Sequence, residues 1–185
     1  DLVARAHAAG VKVLALTDHD VTDGIAEAQT AAESLGIRLV AGVEISVTWQ
    51  NRTLHIVGLN INPDRPELQQ GLARLREFRQ WRAVEIGRRL QKKRIEGAYE
   101  GAARLARGTI ISRTHFARFL VEQGYVRGPQ QAFRQFLAQG KPAHVPGQWA
   151  SLPDAVQWIV AAGGQAVLAH PARQTPDVRR DAGGG

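Results

Sequence analysis

Three short runs of apolar, largely β-branched residues stand close together in the first third of the chain, at 11–17, 38–45 and 54–60. Each is of strand length and is bounded by glycine, asparagine or charged residues. Between the first two, Ile25, Ala28, Ala32 and Leu35 recur at helical spacing. Thr22 or Asp23 is placed to cap that helix and Gly36 to end it. Strand, helix and strand at this length form a βαβ unit, whose strands run parallel, so the pattern predicts an α/β fold. A fourth strand, at 165–169, follows a helix at about 152–162, with Gly163-Gly164 turning between them. The first ten residues read as the end of an amphipathic helix stopped at Gly10.

The middle of the chain differs. From Asp64 to about Gly140 the composition is helical, broken by Gly97, Gly101, Gly108, Gly124 and Gly128. The expected organisation is therefore an α/β segment at 1–63, a helical insertion at 64–150, and a return to the α/β layer at 151–185.

Composition narrows the class. Hydrophobic residues at 44% and charged residues at 22% exclude a disordered chain. Cysteine is absent, which removes disulfides, thiolate ligands and a cysteine nucleophile, and fits a cytoplasmic protein. No apolar run reaches the roughly 18 residues of a membrane span, so no membrane partner is expected. There is no methionine, and the chain reads as starting inside a longer protein. Its 24 Lys+Arg against 17 Asp+Glu give a net charge of +7, which favours an anionic partner such as a phosphorylated metabolite or nucleic acid. Much of that surplus lies between Arg74 and Arg94, where a solvated Arg-rich helix explains it equally well.

Candidate chemistry falls at the strands. Thr17-Asp18-His19-Asp20 ends the first one, where α/β barrels gather catalytic side chains. Glu44 lies at the end of the second, where an acidic group is costly unless it is paired or bound to a cation. His55 interrupts the third and His170 ends the fourth. A single strand histidine is usually just hydrogen-bonded in place. Four such groups on strands taken to be parallel form a transition-metal set, in which one Glu can bridge two ions.

The series Thr-Asp-His-Asp, Gly-Val-Glu-Ile-Ser, His-Ile-Val-Gly and Ala-His-Pro resembles the polymerase-and-histidinol-phosphatase (PHP) family of metal-dependent phosphoesterases. Within it, the chain is most similar to bacterial 3',5'-nucleoside bisphosphate phosphatases, some of which are also 5'-3' exoribonucleases. Ser112-Arg113-Thr114-His115-Phe116-Ala117 and Gly140-Lys141-Pro142-Ala143-His144-Val145-Pro146 extend the likeness into the helical segment. The resemblance implies a distorted (β/α)7 TIM-like barrel, only part of it in this chain, with a helical insertion. It implies up to three divalent metals, manganese first, with zinc, iron or magnesium as alternatives. By it, Glu44 bridges two ions, His55 and His170 complete one, and His19 holds the third, so that His19 and Glu44 are catalytic through metal. Arg113, His115, Arg134 and Lys141 are implied to grip substrate phosphate, while His115 as a helix cap and Arg134 as a solvated residue remain open.

The implied reaction is hydrolysis of nucleotide phosphomonoesters, 3',5'-nucleoside bisphosphates above all, with RNA 5' ends as a further substrate. The rivals are a histidinol-phosphate phosphatase-like enzyme and a non-catalytic PHP module or inactive fragment. The family's opening Asp-Leu-His-x-His and closing Asp-x-His have no counterpart here, so the chain is expected to be truncated at both ends and to hold only part of the ligand set. Thr114 stands where the family has Pro, and His144 where it has Tyr, which argues against His144 as a ligand. His7 is expected to be structural or exposed.

Overall fold

In the computed structural model, which describes residues 2–106 and 108–171, the first apolar run becomes strand β1 (Val13–Leu16) and the second β2 (Arg38–Trp49). They pair in parallel from Val13–Arg38 to Leu16–Ala41. Helix α1 (Leu2–Ala8) precedes them and α2 (Ile25–Leu35) joins them, so the predicted βαβ unit forms. Val3, Ala28, Ala32 and Ile37 are buried together, with Leu14, Leu16 and Leu39 packed against them. Gly36 ends α2 at φ 66°, a left-handed conformation that glycine takes without a Cβ penalty. The start of α2 departs from expectation. Gly24 is its N-cap and no side chain caps it, because the Thr22 hydroxyl instead accepts from Gln69 Nε2 at 2.8 Å.

The third strand overturns the expectation of parallel neighbours. β3 (Arg52–Leu59) runs antiparallel to β2, in register from Gly42–Leu59 to Trp49–Arg52. The cause is local: Gln50 and Asn51 both adopt positive φ, 46° and 62°, giving a two-residue turn of the kind whose twist suits a hairpin. β2 accordingly runs on to Trp49, beyond the expected end at residue 45.

After β3 the chain forms α3 (Pro66–Gln91), α4 (Ala98–Leu105), α5 (Arg113–Glu122), α6 (Pro129–Ala132) and a π-helical turn (Phe133–Leu137). β4 (Ala150–Ser151), α7 (Leu152–Ala161) and β5 (Gln165–Leu168) follow. β5 pairs antiparallel with β3 and β4 pairs parallel with β2, so the main sheet order is β1-β2-β3-β5. Two reversals make β1, β2 and β5 point the same way, while β3 alone runs against them.

The chain divides into two compact units, Asp1–Ala73 with Trp149–Gly185, and Arg74–Gln148. In the first, alternation sets the core. Val43, Ile45 and Val47 of β2 and Leu54 and Ile56 of β3 are buried and share one sheet face. α7 adds Ala155 and Ile159 to the same interior, and its N-cap Ser151 accepts from Asp154 N–H at 3.2 Å. The second unit is helical, as its composition predicts, and packs Ile86, Leu90, Phe116, Leu120, Leu137 and Val145 into one core. Among the described residues no helix is long and apolar enough to cross a membrane. Residues 172–185 lie outside those described.

Candidate metal centre

Because Val43, Ile45 and Val47 face the core, Glu44 and Ser46 project from the other face of β2. His55 sits directly opposite Ser46 across the hairpin, and Val57 opposite Glu44. Glu44 and His55 are thus diagonal neighbours, within reach for long side chains. Glu44 Oε1 lies 3.1 Å from His55 Nδ1.

His19 arrives by extension of the β1–β2 ladder. Glu44 N–H donates to Asp18 O at 3.0 Å and Asp20 N–H to Glu44 O at 3.1 Å, which places His19 in a parallel bridge with Glu44. Its Nε2 stands 3.9 Å from Glu44 Oε2. His170 needs a different device. Ala169 N–H donates to His55 O at 2.9 Å, continuing the β5–β3 ladder. An extended residue 170 would then share the core face with Leu54. Instead His170 turns at φ 35°, and its Nε2 lies 3.1 Å from His55 Nδ1 and 3.5 Å from Glu44 Oε1. The strained backbone keeps the imidazole on the site face.

The four residues expected to be ligands therefore come together. Four ligands about a metal at ordinary Zn–N and Zn–O lengths stand about 3.3 Å apart. Glu44 Oε1, His55 Nδ1 and His170 Nε2 stand 3.1, 3.5 and 3.1 Å from one another. Ligand atoms of His19, Glu44 and His55 all fall within 4.8 Å. Burial, with His19 next in weight, pushes His55 below its ordinary 6.5 against the pull of Glu44. A neutral imidazole is the form that offers a lone pair to a cation. The donor set fits a divalent transition metal.

Asp20 ties the His19 loop to β2. It is fully buried at φ 57°, and its Oδ1 accepts from Ser46 N–H at 2.8 Å. That bond crosses from the His19 loop to the strand of Glu44, so Asp20 positions both. The sequence signal is faint: Asp tolerates the left-handed region better than most residues. Asp20→Ala is expected to cost about 2 kcal/mol, the usual loss for a hydrogen bond to a charged group. Asp20→Asn, which keeps the accepting oxygen, should lose less. Equal losses on chemical denaturation would show that the bond to Ser46 is not what matters.

The expected phosphate-binding residues all lie in the helical unit. His115 completes a capping box: its Nδ1 accepts from Ser112 N–H at 3.0 Å, and burial followed by Arg118 lowers its pKa. Arg113 is half-buried with its guanidinium 5.6 Å from the Phe133 ring centroid. Burial, then Arg113 and Arg79, push Arg82 down to about 10, a sign of crowded positive charge. Arg134 and Lys141 are exposed. His144 bonds Leu137 O through Nδ1 at 3.4 Å, and His7 is exposed at the end of α1. Neither belongs to the four-residue cluster.

Known proteins resemble this chain in sequence and fold. The chain is 50% identical over 173 residues to a 5'-3' exoribonuclease of Haemophilus influenzae, covering 94% of this chain and 63% of that protein. It is 51% identical over 174 residues to a 3',5'-nucleoside bisphosphate phosphatase of Chromobacterium violaceum, covering 94% and 61%. A solved amidohydrolase structure from Chromobacterium violaceum, with bound sulfate and no metal, superposes with a TM-score of 0.89 at 50% identity, covering 94% of this chain and 61% of the other. The chain spans about three fifths of the length of the curated relatives it matches. The PHP domain matches residues 1–143, and with it the chain belongs to the PHP domain family.

Proposed function

We propose that this chain carries the metal centre of a phosphoesterase that hydrolyses phosphomonoesters of nucleotides, 3',5'-nucleoside bisphosphates first and RNA 5' ends besides. The observation that carries the reading is the division of one carboxylate: Glu44 turns Oε1 to His55 and His170, and Oε2 to His19. A carboxylate divided in this way would be able to serve two cations, one on either side. The names and identities of the two curated relatives support the substrate class.

In this reading His19, Glu44, His55 and His170 hold divalent ions, manganese foremost, within a sheet that forms part of a distorted (β/α)7 barrel. Such ions supply Lewis acidity toward phosphoryl oxygens and lower the pKa of water. The chain's own residues do the rest. His55, whose pKa burial lowers, holds its position as a lone-pair donor, and Asp20 fixes the spacing between the His19 loop and Glu44. Arg113 offers a planar bidentate contact to phosphate and Lys141 a point charge, joined by His115 through the nitrogen not used in its cap and by Arg134. The protein acts in the cytoplasm on a phosphorylated nucleotide.

The test is substrate preference after metal exchange. The full chain, stripped with chelator and reloaded with Mn2+, is expected to release phosphate from 3'-phosphoadenosine 5'-phosphate and to leave histidinol phosphate nearly untouched. Metal-independent release, or a preference for histidinol phosphate, would sink the proposal.

A further inference from the structure

The helical unit carries a groove of about 460 Å3, lined by Arg89, Lys92 and Lys93 at the end of α3 and by Gly140, Lys141 and Pro142 after the π-helical turn. Four of these six residues are cationic and none is acidic. The two walls are tied together, since Arg89 Nη1 donates to His144 O and Arg82 Nε to Val145 O at 2.9 Å. Arg89 is answered by Glu85 at 2.7 Å. Lys92, Lys93 and Lys141 are exposed, and none makes an ion pair among the described residues. The C-terminal carbonyls of α3 favour nearby cations, which accounts for Lys92 and Lys93 alone. They do not account for Lys141, which reaches the same groove from a different segment.

We infer that this groove binds the phosphodiester backbone of single-stranded RNA, so that the unit holds the body of a polynucleotide whose end is hydrolysed. The inference rests on the phosphoesterase reading and deepens it: Lys141 belongs to the phosphate-binding set proposed above, while Lys92 and Lys93 are new. The volume is several times that of a bare phosphate ion. No lining residue is aromatic, so bases are not stacked there. Ammonium groups act as point charges and carry no base preference. The strand is bound by charge, without regard to sequence.

Salt dependence tests this. Binding of a fluorescently labelled, 5'-phosphorylated 12-nucleotide RNA is followed by anisotropy between 0.05 and 0.3 M salt, concentrations over which counterion release dominates. Each lysine that neutralises a phosphate on a single strand contributes about 0.7 to the slope of log K against log salt. Lys92→Ala with Lys93→Ala is therefore expected to flatten the slope by about 1.4 and weaken binding about 25-fold at 0.1 M salt, with no difference at 1 M. Hydrolysis of 3'-phosphoadenosine 5'-phosphate should be unchanged in the same variant. Lys12→Ala with Arg38→Ala, two exposed cations of the other unit, serves as the charge control. A slope change below about 0.5, an equal loss in the control, or no salt-dependent binding by the parent overturns the groove. Failure of the catalytic reading shows separately, as absent manganese-dependent phosphate release by the unaltered protein.

Discussion

Glu44→Gln is expected to reduce Mn2+ affinity by at least about 100-fold, the upper end of what losing a mere supporting residue around a metal costs. The amide keeps the volume of the carboxylate but removes the charge shared by the two sides of the cluster. Glu44 Oε1 faces both His55 and His170, and Oε2 faces His19, so one substitution weakens every donor pair at once. Stability should change little, because the core face of β2 is untouched and a partly exposed carboxylate contributes little to folding. Titration calorimetry of metal-free protein with Mn2+ measures the first effect, and a thermal melt the second. Unchanged affinity would remove Glu44 from the metal site, and the bridging geometry with it.

Gly42→Ala should show the reverse pattern, a folding defect originating outside the ligand set. Gly42 sits where β2 leaves its pairing with β1 and takes up β3. A Cβ there would meet Thr17 Cγ2 at 2.7 Å, Gly58 O at 2.8 Å and Leu16 O at 3.0 Å. Two of those atoms are backbone, held by the sheet on either side, so the clash cannot be relieved by a side-chain rotation. Overpacking of this kind costs about 1–3 kcal/mol. For a chain of this size that corresponds to a fall in Tm of about 2–12 °C. The displaced backbone lies two residues from Glu44, so metal affinity should fall as well. A melt matching the parent would mean that β1 and β3 can part at this point.

Much of this architecture was readable from residue pattern, and the failures have physical causes. The helical period of Ile25, Ala28, Ala32 and Leu35 located α2, and the apolar runs located β1, β2 and β5. The direction of β3 was not legible in the same way. Periodicity records which side of a strand is buried and is blind to its direction. The directional signal lay in Gln50-Asn51, and Gln is a weak indicator of a left-handed turn. The cluster was legible because its four donors are chemically distinctive, even though the parallel arrangement used to connect them was wrong for His55. Opposite strand direction still puts His55 beside Glu44, because cross-strand diagonals exist in antiparallel pairs too. Asp20 was visible as part of a motif, but its bond to Ser46 joins residues far apart in sequence, and only the fold brings them together.

The hairpin also sets an order of assembly. Glu44 and His55 sit on its two arms, so forming their contact closes only a short loop, an event of about 10–100 ns, with the hairpin itself taking about 1–10 μs. His170 lies 115 residues further along the chain from His55. At a ribosomal pace of about 5–20 residues per second, it emerges roughly 6–23 s later. A nascent chain therefore carries Glu44 and His55 paired on the hairpin, with His19 already synthesised, for many seconds before the last histidine arrives. Contact order gives this protein an early, local beginning of its metal centre and a late, long-range completion.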